Sequence, residues 1–143
     1  MDVSSCMTDD FDFWLGAWHG TWHDGGSAVN TVTKEYGGNV VIERFAADAP
    51  ETLNGLSVSV FDARDACWKQ TWVDDNGSYL DFRGGFDGEA MVLSRQLLDG
   101  QAIVTQRMVW HEIEDDRFAW KWQRSRAGAD WETLWAIAYE RIP

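Results

Sequence analysis

Proline is nearly absent from this chain of 143 residues: only Pro50 and Pro143 occur, so almost every interior backbone N–H is free to donate to a β-ladder. Cysteine is equally scarce. Cys6 and Cys67 show no spacing that pairs them, which argues against a disulfide framework. No apolar run approaches the ~18 to 20 residues of a membrane helix, and the opening Met1 to Met7 has neither the basic nor the apolar stretch of a secretion signal. A cytoplasmic protein with no membrane partner is the expectation. Basic charge is also in short supply, 12 Lys and Arg against 24 Asp and Glu, and the net charge of −12 repels phosphate backbones and anionic surfaces. Nucleic acid is therefore excluded as an expected partner.

The 13 glycines, by contrast, fall between apolar runs, where turns belong. Thr8-Asp9-Asp10, then Phe11, Phe13, Trp14 and Leu15, ended by Gly16, reads as a short helical turn capped by side-chain oxygens and released by glycine. It is expected to plug or pack on one end of the fold. From Ala17 the period becomes two, with strand-like runs near 17–23, 29–37, 40–47, 55–62, 67–74, 78–86, 90–97, 101–111, 117–126 and 131–141. Turns such as Gly37-Gly38-Asn39, Asp75-Asn76-Gly77 and Asp99-Gly100 tolerate positive φ and suit hairpins. Ten strands without an intervening helix imply an all-β antiparallel meander, and closure into a barrel would remove its exposed edges. A two-sheet sandwich is the alternative. Residues 1–8 read as a flexible tail and 9–143 as a single barrel domain.

Ten tryptophans demand an account. Trp18 with Trp22, Trp68 with Trp72, Trp120 with Trp122, and Trp131 with Trp135 share parity within one predicted strand, so each pair is expected on one face. Either they fill a core or some line a cavity where flat rings meet an apolar or aromatic ligand.

Phe11-Asp12-Phe13-Trp14-Leu15-Gly16-Ala17-Trp18, Trp68 to Asp74 with Gly77, Arg107-Met108-Val109-Trp110, and Ser125 to Trp131 leading to Tyr139-Glu140-Arg141 together resemble a widespread bacterial family of lipocalin-like (calycin) proteins of uncharacterised function. The resemblance spans nearly the whole chain. It implies an up-and-down β-barrel in which Trp18 closes the floor and Gly16 turns the chain into the first strand. It supplies no activity to transfer.

Candidate chemistry is thin. On a strand His19 and His23 stand ~13 Å apart, too far to share one ion. A lone His111 could hold haem, but the glycine-rich opening and late histidine of haem-holding barrels of this kind are missing; no metal and no cofactor are expected. There is no G-x-S-x-G elbow and no phosphate-binding loop. Buried polar residues are more informative. If Trp68 and Trp72 face inward, Gln70 lies between them. On the face Ile103, Thr105, Arg107, Val109, Arg107 either binds a carboxylate or is the floor arginine that stacks on Trp18 in the lipocalin arrangement. The leading expectation is a binding barrel for a small apolar or aromatic molecule, its pocket drawn from Trp22, Gln70, Trp72, Arg107, Trp120, Trp122 and Tyr139. A cofactor-independent isomerase, cyclase or lyase with Glu43, Arg107, His111 or Tyr139 in the same cavity is the competing class, and a filled, purely structural core the third. A homodimer is also admitted, since an open strand or aromatic patch on a small barrel commonly finds a partner.

Overall fold

The period-two runs become ten antiparallel strands in a computed structural model that describes residues 8–48, 50 and 52–143. They are β1 (Gly16–Thr21), β2 (Ser27–Glu35), β3 (Val40–Ala47), β4 (Leu53–Asp62), β5 (Cys67–Asp74), β6 (Tyr79–Phe86), β7 (Met91–Asp99), β8 (Ala102–His111), β9 (Arg117–Arg126) and β10 (Glu132–Arg141). Their ends lie within a residue or two of those expected from turn chemistry. Each strand pairs with its sequence neighbours, and β1 pairs with β10 from Trp18 opposite Arg141 to Thr21 opposite Ala138. That last ladder closes the barrel and excludes a sandwich. Of the expected flexible tail, residues 1–7, including Cys6, lie outside the described residues. Among the described residues no helix is long and apolar enough to cross a membrane.

One end of the barrel is filled. A 3-10 turn, Asp12–Trp14, carries Phe11 and Trp14 beneath the strands, closed by backbone bonds from Asp12 N–H to Asp9 C=O and from Trp14 N–H to Phe11 C=O, both 3.0 Å. The turn's N-cap is Phe11, which makes no side-chain cap bond and is itself fully buried. Phe11 meets Trp68 and Trp110 edge-on at 5.0 and 5.1 Å, and Trp14 meets Trp110 at 5.2 Å, geometries that suit the quadrupoles of the rings. Trp18 Nε1 donates to the Trp14 carbonyl at 2.8 Å, tying the plug to β1.

Arg141 locks this floor. Its guanidinium lies 4.2 Å over the Trp18 ring, Nη1 donates to the Leu15 carbonyl at 2.8 Å, and Nη2 to the Asp115 carbonyl at 2.8 Å. Gly16 is required here: its φ is +126° and a Cβ would sit 2.5 Å from Arg141 Nη1.

Two irregularities shape the other end. β6 pairs with β7 only over Arg83–Phe86 against Met91–Ser94, so a slit separates the first half of β6 from the second half of β7. On β10 the register shifts between Thr133 and Trp135, a bulge that leaves Thr133 on the outer face and turns Trp135 inward. The expected shared face of Trp131 and Trp135 is broken by that bulge: Trp131 precedes β10, stays outside and stacks on Arg107, whereas Trp135 packs on Trp120.

Candidate functional site

Midway along the barrel a band of polar side chains divides the filled floor from the open half. Asn30 on β2, Glu43 on β3, Ser57 and Ser59 on β4 and Gln70 on β5 are all buried. Strand register puts Glu43 directly opposite Ser57, and Ser59 opposite Gln70. Glu43 Oε1 accepts from Ser57 Oγ at 2.7 Å and Oε2 from Asn30 Nδ2 at 2.9 Å, while Gln70 Nε2 donates to Ser59 Oγ at 3.0 Å. Burial pushes the Glu43 carboxyl above its ordinary pKa, against the opposing pull of the Ser57 and Asn30 hydrogen bonds. Asn30 Oδ1 and Gln70 Oε1 accept no hydrogen bond.

Tyr139 joins the band from β10. Its ring lies across Gly20, where a Cβ would come within 2.8 Å of Tyr139 Cε1, and it stacks on Phe118 at 4.8 Å. Burial, then the neighbouring Glu43 carboxylate, raises the phenol well above its usual pKa, so the hydroxyl is a neutral hydrogen-bonding group at physiological pH.

Above the band is a cavity of about 310 Å³, at the lower end of the range of small-molecule pockets. Its walls include Phe45, Phe82, Met108 and Ile137, and four partly buried indoles, Trp72, Trp120, Trp122 and Trp135. Glu43 and Tyr139 line it, and it extends to Asp74 and Ser78 at the β5–β6 turn. Gly55 makes room for one wall, since a Cβ there would lie 2.2 Å from the Trp72 ring. Asp74 fixes that ring: Trp72 Nε1 donates to Asp74 Oδ2 at 2.8 Å, and the Asn76 and Ser78 amides donate to Oδ1. Burial alone would raise the Asp74 pKa, but the bonds from Trp72, Ser78 and Asn76 together hold it below the ordinary value.

Of the residues expected to form a pocket, the cavity brings together Trp72, Trp120, Trp122 and Tyr139. Gln70 faces the interior as expected, between Trp68 and Trp72, but lies in the polar band rather than on the cavity wall. Trp22 is buried just past β1, edge-on to Trp135 at 5.1 Å, behind the wall. Arg107 is the clearest correction: it points out of the barrel, its guanidinium 3.8 Å over Trp131 and its Nε donating to Gln123 Oε1 at 2.8 Å. The inward face of β8 is the other one, with Met108 and Trp110 on the cavity, and the arginine stacked on Trp18 is Arg141.

No family model and no curated protein matches this chain. The closed ten-stranded up-and-down barrel is consistent with a lipocalin-like fold. Its function must be argued from the cavity.

His111 ends β8 on the outer face, 3.2 Å from Glu112 Oε2, its pKa lowered by burial and then by Lys121. Among the described residues no histidine lines the cavity. Among the described residues no three His, Cys, Asp or Glu side chains are grouped to hold a metal ion. Sequence reasoning missed Phe45, Leu80, Phe82, Met108, Trp135 and Ile137 as wall residues. Phe82 carried a signal, since a hairpin through Asp75-Asn76-Gly77 sets it opposite inward-facing Gln70.

Proposed function

We propose that the barrel binds a small apolar or aromatic molecule in its open half. The observation that carries this reading is the set of four partly buried indoles facing about 310 Å³ that no side chain fills, while the tryptophans of the floor are packed to near-zero exposure. Indole faces offer large, stiff contact area at little entropic cost, and the polar band supplies a few groups that would fix orientation. The Phe11 to Trp18 segment and the Trp18–Arg141 stack support the same reading, in which the chain is a member of the lipocalin-like family that its sequence resembles.

Native mass spectrometry of the protein purified from its own host tests this, with extraction of any bound small molecule and its re-binding followed by tryptophan quenching. A stoichiometric apolar passenger is expected. Trp72→Ala and Trp122→Ala, if folded, are expected to bind it at least about tenfold more weakly. Folded variants that bind equally well would remove the assignment.

One observation favours a second reading, a cofactor-independent enzyme using the same cavity: Glu43 and Tyr139, both buried and both shifted in pKa, line it and influence each other's charge. A passenger converted into another compound on incubation, with conversion lost in Glu43→Gln while binding persists, would select it.

A further inference from the structure

The ligand's polar end can be argued from charge. Among the described residues Glu43 and Asp74 are the charged ones on the cavity wall, and no Lys, Arg or His lines it. The described residues of the turns at the mouth, 22–26, 48, 50, 52, 74–78, 99–101 and 127–131, include Asp24, Asp48, Asp75 and Asp130 besides Asp74, while Asp99 is paired with Arg126 at the end of β9. Such a mouth concentrates cations and turns anions away.

A base does approach the interior from elsewhere. Arg95 on β7 borders the slit beside β6, its Nη1 donating to Gln106 Oε1 at 2.7 Å and its Nε buried without a partner. It lies outside the wall of the cavity.

We infer that the molecule bound in the cavity is a small organic amine, protonated, with an aromatic or apolar body lying among Trp72, Trp120, Trp122 and Trp135 and its ammonium beside Glu43 and the Tyr139 hydroxyl. This rests on the binding function proposed above and names the chemical class of its ligand. Three features converge on it. Indole faces attract cations through their quadrupoles, most strongly where water is excluded. An ammonium brings up to three donors to a band where, among the described residues, Asn30 Oδ1 beside Glu43 accepts no hydrogen bond. A buried carboxylate without a cation carries an uncompensated desolvation cost, which an alcohol would leave in place and an ammonium would offset.

The test uses the whole protein and three probes that share one ring and differ in charge: 2-phenylethylamine, 2-phenylethanol and phenylacetate. Each is titrated against tryptophan emission and against displacement of the neutral dye Nile red. The expected order is amine tighter than alcohol by about tenfold or more, with the carboxylate weakest. In Glu43→Gln, which keeps the shape of the side chain but removes its charge and one of its two acceptors, amine and alcohol are expected to converge to within about threefold. Should that variant not fold, the wild-type series alone decides. Equal affinity for amine and alcohol overturns the inference and leaves the apolar binding function standing. Tighter binding of phenylacetate overturns it in favour of Arg95. Nile red bound but displaced by none of the probes also overturns it, whereas failure of Nile red itself to bind removes the binding function and this inference together.

Discussion

The two halves of the barrel use the same residue type to opposite ends. At the floor Trp14, Trp18, Trp68 and Trp110 are at most 1 % exposed, interlocked with Phe11 and capped by the guanidinium of Arg141. Beyond the polar band Trp72, Trp120, Trp122 and Trp135 surround open volume. Indole chemistry is common to both, so the difference comes from what the chain brings to each end. The segment before β1 folds back beneath the floor with two aromatic side chains, and the short mouth turns bring none into the cavity. For the tryptophans that point into the barrel, what surrounds the ring at each end decides whether it packs or lines open volume.

The comparison breaks most visibly under alanine substitution. Trp18→Ala is expected to cost about 3 to 5 kcal/mol, because a packed floor cannot collapse onto the lost volume. Trp122→Ala should cost less than about 2 kcal/mol, since its ring already borders a cavity. Equilibrium denaturation of both variants measures this, and equal losses would mean that the open half is packed like the floor. Next in size, Arg141→Ala removes two carbonyl partners and the stack on Trp18 and is expected to cost about 2 kcal/mol. Arg107→Ala, on the outer wall, should stay below about 1 kcal/mol and leave ligand affinity unchanged. Gly55→Ala should likewise cost only about 1 kcal/mol in stability, yet it presses on the Trp72 ring and should weaken binding several-fold. Unchanged affinity in Gly55→Ala would take Trp72 out of the site.

Strand positions were legible because Gly, Asp and Asn mark nearly every turn, and the inward set Trp68, Gln70, Trp72 could be read because the opposite parity would have buried Lys69. On β8 the same logic failed. Both faces mix apolar and polar residues, Thr105, Arg107 and Val109 against Gln106, Met108 and Trp110, so alternation did not choose between them. Arg107 was read inward for that reason. The bulge before Trp135 left no mark in the sequence, since Leu134 continues an apolar run, and so Trp135 was grouped with Trp131 rather than with the cavity. Glu43 was visible only as an acidic residue on a strand; its partners Asn30 and Ser57 come from two other strands and emerge only with register.

The subtlest contrast is electrostatic and concerns the two carboxylates on the cavity wall. Asp74 has a lowered pKa, so its contribution to stability is present above the unfolded value and is lost as pH falls through the folded one. Glu43 runs the other way. Its folded pKa is raised, so between the unfolded value and that raised value the folded state holds a proton that the unfolded chain has released, and stability falls as pH rises across this window. Glu43→Gln removes the effect. Thermal melts of the ligand-free protein are therefore expected to show the variant gaining on the wild type as pH rises from about 4.5, with no difference from this source below it. Asp74→Asn should instead lose ground to the wild type at lower pH, as pH rises towards about 3.8, and hold a constant deficit above it, because it forfeits a carboxylate held by Trp72, Asn76 and Ser78. If Glu43→Gln tracks the wild type at every pH, burial does not penalise the Glu43 charge, and an ammonium would have nothing to offset beside it.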